Sequence, residues 1–409
     1  MKRKMGFSYT KMKNKNLLVT TTTFPRYEKD KEATFVKDLS LELSKNGFNT
    51  HVLVPHSYGL SNKDRLDNLI IHRFIYFLPR FEKLAYGGMI PNIKKNKFLL
   101  FQIPFFILSE LLELIKIVKK YKINVIHSHW LIPQGLCGAI SKKIFNLRHI
   151  TTIHGADLFV LLKIPLSKFL IKFILNNSDH ITCVNNEIKE KSISLIGKSY
   201  YKKISVIPMG VYTDIYKNKF RFNKKILFLG RLADKKGVKY LLEAVKLLDN
   251  KVKILIAGDG PLKDELEDFV RKNNLRDKVK FLGYVTGKEK VDIIKKCGIF
   301  IMPSIITEYG DREGMPVSLL EAMAASKAII VTNVGGISEL IKNNYNGILI
   351  KQKSSNDIAN AINKLTNNKN LAKRLALNAR KSVLDYDWKK IGEKYYKILI
   401  NNKNFYSKI

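Results

Sequence analysis

Two carboxylates, Glu313 and Glu321, stand eight positions apart at the two ends of EGMPVSLLE. Pro316, between them, suits the first turn of a helix, where its missing N–H costs nothing. The residues that follow, Val317 to Ala325, are apolar with few breakers and read as a buried helix. A helix starting near Pro316 leaves Glu313 in the loop ahead of it and puts Glu321 on its wall, over one turn inside. The helix mouth, Gly314, Met315, Pro316, Val317 and Ser318, is a candidate substrate-binding segment. N–H groups around Gly314, Met315, Val317 and Ser318 lack intrahelical acceptors, and the helix dipole adds to their pull on an anion. A phosphate held there leaves Glu321 to accept hydrogen bonds from a ribose and Glu313 to accept them from a sugar. Two glutamates at this spacing also arise by chance in a chain of 409 residues. The glycine, the proline and a following strand that ends in Gly335-Gly336 give the spacing the layout of a nucleotide-sugar site.

Other groups fit around that site. Gly230-Arg231-Leu232 and Lys235-Lys236-Gly237 come just after an apolar strand. Arg231 and Lys236 leave a strand end and approach a helix start; a guanidinium fork and an ammonium point charge suit a diphosphate. A solvated loop in a lysine-rich chain is the alternative. Ala257-Gly258-Asp259-Gly260-Pro261 also follows a strand, so Gly258 and Gly260 could let the backbone approach a ligand, or could make only a tight turn. Thr152-Ile153-His154-Gly155-Ala156-Asp157 follows another strand, which places His154 and Asp157 to reach into a cleft. His127 and His129 straddle Ser128 at a strand end. With no third histidine or carboxylate nearby in sequence, wall packing is preferred to metal ligation. Asp385-Tyr386-Asp387 precedes the last helix, so Asp387 reads as an N-cap. No serine elbow, P-loop or zinc motif is present, and no metal site is expected.

The elements that position these residues alternate. Apolar strands near residues 16–20, 50–54, 69–74, 125–129, 149–153, 180–184 and 204–207 are separated by helical patterns, which predicts a parallel sheet covered on both faces. A polar, basic break follows at IPMGVYTDIYKNKFRFNKK. A second series has strands at 226–229, 253–257, 279–282, 299–302, 328–332 and 347–350. The fold class is α/β: two doubly wound Rossmann-like domains facing a cleft, with ligands at the carboxyl ends of the strands. The expected layout is a basic N-terminal extension 1–15, a first domain 16–208, a linker 209–222, a second domain 223–384 and a C-terminal segment 385–409. That last segment carries an amphipathic helix from Trp388 to Ile400 with no strand after it.

Composition bounds the rest. The chain carries 73 basic and 35 acidic residues, a net charge of +38. Such an excess points to an anionic partner; compositional drift toward lysine is the alternative, and among partners attraction to an anionic membrane surface comes first. Nucleic acid ranks last, because no basic-aromatic signature or single basic helix stands out. Lys2, Arg3, Lys4, Lys11, Lys13 and Lys15 precede the first strand without the apolar core of a signal peptide, so secretion is not expected. Cys137, Cys183 and Cys297 show no metal spacing and fit a reduced cytoplasmic setting. The stretch from Phe98 to Val118 approaches a membrane span in length, but Pro104, Glu110, Glu113 and Lys116 argue against one. A core helix is favoured there over a helix resting on a membrane surface.

Together these residues resemble the retaining glycosyltransferases of family 4, which have the GT-B fold. The motifs are Glu313 with Glu321, the G-R-L-x-x-K-K-G run with Arg231 and Lys236, and His154-Gly155-Ala156-Asp157. Val206-Ile207-Pro208-Met209-Gly210-Val211 resembles the crossover between domains. The resemblance covers nearly the whole chain. It implies a nucleoside-diphosphate sugar donor in the second domain, a glycan or lipid-linked acceptor in the first, and a final helix crossing back to the first domain. It gives Arg231 and Lys236 the departing diphosphate, Glu321 the ribose, Glu313 the transferred sugar and His154 the wall of its pocket, without a metal cofactor. It also implies retention, with the leaving phosphate helping to take the acceptor's proton. Many relatives carry Gly-Gly in the loop after the first strand, where this chain has Glu32-Ala33-Thr34. The Phe-Pro-Arg loop and the run from Glu308 to Pro316 resemble those of polysaccharide-assembly transferases. The expected place of work is the cytoplasm, peripherally at the inner face of the membrane. Two readings stay open beside it: a non-hydrolysing sugar-nucleotide epimerase, and a non-catalytic binder of nucleotide sugars or anionic polymers.

Overall fold

A computed structural model describes residues 15–27, 30 and 32–400. Lys2, Arg3, Lys4, Lys11 and Lys13 of the basic N-terminal extension lie outside the described residues.

The first sheet has eight strands: β1 (Lys15–Thr20), β2 (Phe48–Pro55), β3 (Lys63–Leu66), β4 (Leu69–Phe74), β5 (Val125–His129), β6 (Arg148–Ile153), β7 (His180–Cys183) and β8 (Ile204–Val206). Their order is β3-β4-β2-β1-β5-β6-β7-β8. The second sheet has six: β9 (Lys225–Leu229), β10 (Lys253–Ala257), β11 (Val279–Gly283), β12 (Ile299–Met302), β13 (Ala328–Thr332) and β14 (Ile348–Ile350), in the order β11-β10-β9-β12-β13-β14. In each sheet the order reverses beside the first strand, between β1 and β5 and between β9 and β12. That switch opens a crevice at the carboxyl ends of the strands, where doubly wound sheets bind ligands. The strands read as continuous apolar runs because helices cover both faces; Ile299 to Met302 and Ala328 to Thr332 are buried throughout.

Several elements differ from expectation, two of them for clear physical reasons. The first sheet is not wholly parallel, because β3 pairs antiparallel with β4, with Leu66 opposite Leu69. Its residues, Lys63-Asp64-Arg65-Leu66, are all exposed and show no alternation to read; the hairpin is set by its two-residue turn, with Asp67 at φ +51°. A helix spans Lys369–Val383, where the sequence reading has no element. Asn368 caps it, its side chain accepting the Leu371 N–H at 2.9 Å. Its buried stripe is Ala372, Leu375, Ala376, Ala379 and Val383. Alanines give a weak hydrophobic signal among so many lysines and arginines.

The final helix, Trp388–Ile400, buries Trp388, Ile391, Tyr395 and Leu399 in the core of the first domain. It lies against the helix Phe35–Lys45, so closely that a Cβ on Gly392 would come 2.9 Å from the Glu42 Cβ. The Asp387 carboxylate accepts the Lys389 N–H at 3.0 Å and the Thr213 hydroxyl at 2.6 Å. The chain therefore crosses between domains twice, side by side: Val211 donates its N–H to Tyr386, and Trp388 donates back to Val211. Gly210 is pressed on the Trp388 ring, where a Cβ would meet Cδ2 at 2.4 Å.

Candidate active site

The turn after β9 and the loop after β12 bring a cation to a buried carboxylate. Gly237 has φ +62°, and a Cβ there would lie 2.0 Å from the Pro303 carbonyl, so the turn Asp234–Lys236 sits directly on the β12 loop. This contact delivers Lys236 Nζ to Glu313 Oε1 at 2.8 Å. Ser304 Oγ donates to the same oxygen at 3.3 Å, and Lys235 pairs with Asp311 at 3.1 Å. Burial pushes the Glu313 carboxyl up. The charges of Lys236 and Lys235, with hydrogen bonds from Lys236 and Ser304, outweigh burial and hold it below the usual range. The Lys236 stem runs alongside Gly230, its Cε 3.5 Å from the position of a Gly230 Cβ, an ordinary contact. Arg231 is exposed, at the rim, facing Gly88 of the first domain.

Two glycines after β13 shape the loop that carries Glu313. A Cβ on Gly335, at φ +54°, would lie 2.0 Å from the Glu313 carbonyl oxygen, and one on Gly336 would lie 2.0 Å from that of Gly314. The helix Val317–Ala324 starts directly after Pro316. Among the described residues no acceptor takes the N–H of Met315, Val317 or Ser318. Met315 and Val317 themselves pack against the core of the first domain, so the helix mouth stands between the domains. Glu321 is buried farther in, where its Oε1 accepts from Tyr216 Oη at 2.8 Å and from Lys290 Nζ at 2.6 Å. Asp38, on the first domain, lies near this pair and is itself pushed up by burial.

The first-domain wall is built from strand ends. The His154 carbonyl sits 2.0 Å from where a Cβ on Gly314 would be, so only glycine fits there. His154 Nε2 pairs with His129 Nδ1 at 3.0 Å, and its ring lies between Phe35 and Trp130. Burial lowers His154 to about 3 and holds His129 well below its usual value, and two charged rings this close would repel, so both rings are neutral. Asn185 caps the helix Asn186–Ile196 by accepting the Ile188 N–H at 2.9 Å, and its amide donates to the Gly314 carbonyl at 3.0 Å. Lys163 donates to the Glu308 carbonyl, Arg312 pairs with Glu187, and Tyr284 donates to the Asp30 carbonyl.

Lys236 and Glu313 thus sit at the head of the segment Gly314, Met315, Pro316, Val317 and Ser318, with the His154 carbonyl against Gly314, Arg231 at the rim and Glu321 deeper. Three expected residues have other work. Asp157 is buried, and its oxygens accept the N–H groups of Leu131, His154 and Gly155, so it fixes the loop that carries His154. The room left by Gly258 and Gly260 is filled by the neighbouring loop: their Cβ atoms would meet the carbonyls of Gly230 and Leu232 at 1.9 and 2.4 Å. In the loop after β1, Glu32 Oε1 accepts the Gly87 N–H at 2.5 Å, within its own domain. His127 bonds Thr152 at 2.7 Å, and among the described residues no three potential ligands gather as a metal site. Sequence reasoning missed Lys290, Tyr216 and Asn185. Lys290 is one lysine among many and Tyr216 lies in the linker. Asn185 is readable as a cap, but its second bond crosses domains.

Comparison with known proteins gives the family and the fold. The profile described as Glycosyltransferase Family 4 matches residues 33–215, and that of Glycosyl transferases group 1 matches 214–382. An uncharacterised glycosyltransferase of Methanocaldococcus jannaschii is 32% identical over 340 residues, covering 83% of this chain and 86% of its own. The UDP-Gal:alpha-D-GlcNAc-diphosphoundecaprenol alpha-1,3-galactosyltransferase of Escherichia coli is 30% identical over 289 residues, covering 64% and 71%. Among solved structures, sucrose-phosphate synthase from Thermosynechococcus elongatus superposes with a TM-score of 0.77 over 94% of this chain and 98% of its own, at 17% identity. With two facing Rossmann-like domains and a returning C-terminal helix, the chain belongs to glycosyltransferase family 4 and is a glycosyltransferase of GT-B fold.

Proposed function

We propose that this glycosyltransferase moves a hexosyl group from a nucleoside-diphosphate sugar to a lipid-linked or glycan acceptor in cell-surface polysaccharide assembly, with retention at the anomeric carbon. The observation that carries this reading is the buried Lys236–Glu313 pair beside the open helix mouth. The E. coli relative's name gives a UDP-sugar donor and a diphosphoundecaprenol-linked acceptor, and we extend both classes to this chain.

In this reading the anomeric C–O bond breaks and its electron pair leaves on the diphosphate. Arg231, Lys236 and the N–H groups of Met315, Val317 and Ser318 meet that charge where it develops, in a site already oriented for it. Glu313 stays ionised because Lys236 and Lys235 hold it so, and it orients the sugar through its hydroxyls as positive charge grows on the ring. Neutral His154 lines the sugar pocket as a hydrogen-bonding group without charge. Glu321 takes the ribose with Oε2, which has no partner among the described residues. Lys290 and Tyr216 fix its other oxygen. The acceptor oxygen bonds to the anomeric carbon, and its proton goes to the departing phosphate oxygen. Side-chain cations neutralise the diphosphate, so we propose that no metal ion is needed. We place the enzyme at the cytoplasmic face of the membrane, in keeping with three free, buried cysteines.

The test is turnover of UDP-sugars, with chelator present, by the wild type and by the double variant Glu313→Ala/Arg231→Ala. The expected result is a loss of at least about a hundredfold, the scale for removing a transition-state charge partner. Hydrolysis or transfer left unchanged in the double variant sinks the proposal. The anomeric configuration of the product reads out retention.

A further inference from the structure

The helix Gln102–Tyr121 is the one candidate among the described residues for a membrane span, yet it is pinned to the protein. Its inner face, Phe106, Leu114, Ile117 and Val118, is buried in a first-domain core cluster. A helix docked in this way on a sheet does not cross a bilayer. Its outer face is the anomaly. A surface helix turns charged residues to water, but here Phe101, Phe105, Leu108 and Leu112 follow one another along the outside, 67%, 43%, 55% and 50% exposed. Phe98, in the turn before it, is 89% exposed. A second cluster, Ile164, Leu166 and Phe169, is 50%, 87% and 75% exposed at the start of the helix Ser167–Asn176.

The two clusters lie on the same edge of the domain. Both helices run directly into strands, β5 and β7, so their starts sit at the carboxyl edge of the sheet, which faces the second domain. Two contacts fix the place. The Lys94 ammonium lies 4.2 Å from the centre of the Tyr309 ring, and Lys163 donates to the Glu308 carbonyl at 2.8 Å. The apolar clusters therefore flank the segment that leads into Glu313, at the mouth of the cleft.

Charge says what covers them. Residues 78–112 and 161–173 hold eight basic side chains and two acids, Glu82 and Glu110; the Glu82 side chain is buried against His56 and Glu110 is buried in the core. Lys94, Lys95, Lys97, Lys163, Lys168 and Lys172 are all exposed. A second copy meeting this face would set lysines against lysines, a costly arrangement at an interface. Apolar side chains ringed by lysines match an anionic bilayer, where the rings enter the acyl boundary and the ammonium groups meet the headgroups.

We infer that this face is a docking surface for an anionic lipid bilayer and that it sets the mouth of the cleft at the membrane. The docking stands on exposure and charge. Its use, to meet a lipid-linked acceptor at the surface, rests on the function proposed above.

Co-sedimentation of the full chain with vesicles of phosphatidylcholine and phosphatidylglycerol tests it, with pure phosphatidylcholine as the control. The variants are Phe98→Ser/Phe101→Ser/Phe105→Ser and Lys94→Glu/Lys95→Glu/Lys97→Glu. The wild type is expected to bind the anionic vesicles and to leave them as salt rises. Each lysine near such a surface multiplies partitioning by roughly fivefold, so either variant should lose at least about tenfold. Melting curves check folding, and Phe98→Ser alone serves if the triple variant does not fold. Binding that both variants retain, or no binding by the wild type, overturns the inference. So does a dimer in solution that the phenylalanine variant breaks without any vesicle binding. Stabilisation by UDP separates the two proposals: vesicle binding as expected with no UDP response leaves the docking surface standing and removes the donor site.

Discussion

At the scale of single residues, the Lys236–Glu313 pair bears on stability and, in the function proposed above, on chemistry, and the two contributions can be pulled apart. The pair is buried, with side chains 12% and 7% exposed. Removing one partner strands the other charge, at a cost of about 3 kcal/mol or more. Lys236→Met should therefore lower the melting temperature clearly, with Lys235 and Ser304 limiting the loss. Lys236→Met/Glu313→Gln should recover most of that stability, because neither charge is left alone, while transfer stays lost in both variants. Chemical denaturation beside a transfer assay reads the two outcomes. If transfer returned along with stability, the pair would be structural only. This pair was half legible. The types and spacing of Glu313, Arg231 and Lys236 are in the sequence, but the closure of Lys236 on Glu313 depends on Gly237 touching the Pro303 carbonyl, a contact with no local sequence signal. Asp157 shows the converse. Its place after a strand reads as a ligand contact, whereas burial and three backbone donors commit it to its own loop.

At the scale of elements, the loop after β13 decides where the Glu313 carboxylate sits. Gly335 is left-handed and touches the Glu313 carbonyl. A side chain there meets both a strained backbone and an occupied space, so Gly335→Ala should cost roughly 1–3 kcal/mol. By shifting the Glu313 loop it should also reduce kcat/KM well beyond what that loss of stability alone would do at a temperature where the variant is folded. Unchanged kcat/KM at that temperature would show that the loop tolerates displacement. The strands were readable because buried parallel strands are apolar runs with clear ends: β4, β5, β10, β12 and β13 fall where the periodicity puts them. The helix Lys369–Val383 and strand β3 were not. One hides its stripe in alanines and the other is fully exposed, and each is specified by partners far away in sequence. The outer face of Gln102–Tyr121 was readable in composition, but its exposure was not, because periodicity cannot tell a helix hydrophobic on both faces from one sealed in a core.

At the scale of the whole molecule, the first domain is rich in buried histidines. Burial lowers His51, His72, His149 and His180 to about 4 and His154 to about 3, with His127 and His129 also held well below their usual value. The folded state keeps these rings neutral while the unfolded chain takes up protons below about pH 6.5. Stability is therefore full above that pH and falls as pH drops from about 6.5 toward 4. Glu110 acts in the opposite sense: burial raises it to about 8, so the unfolded chain ionises first and stability slips as pH rises from about 4.5 to 8. Melting temperatures across pH 4.5 to 8 should show a steep acid limb with a maximum near neutrality, and a flat acid limb would contradict the burial of these rings. The returning helix bears on a different matter, the order of synthesis. Trp388, Ile391, Tyr395 and Leu399 fill a core whose other walls, Leu17, Val36 and Ile150, are among the earlier residues made. On the ribosome the first domain must wait, its seam open, while the second domain is translated whole. The second domain can thus complete its core before the first, and the first is sealed only when the helix Trp388–Ile400 emerges.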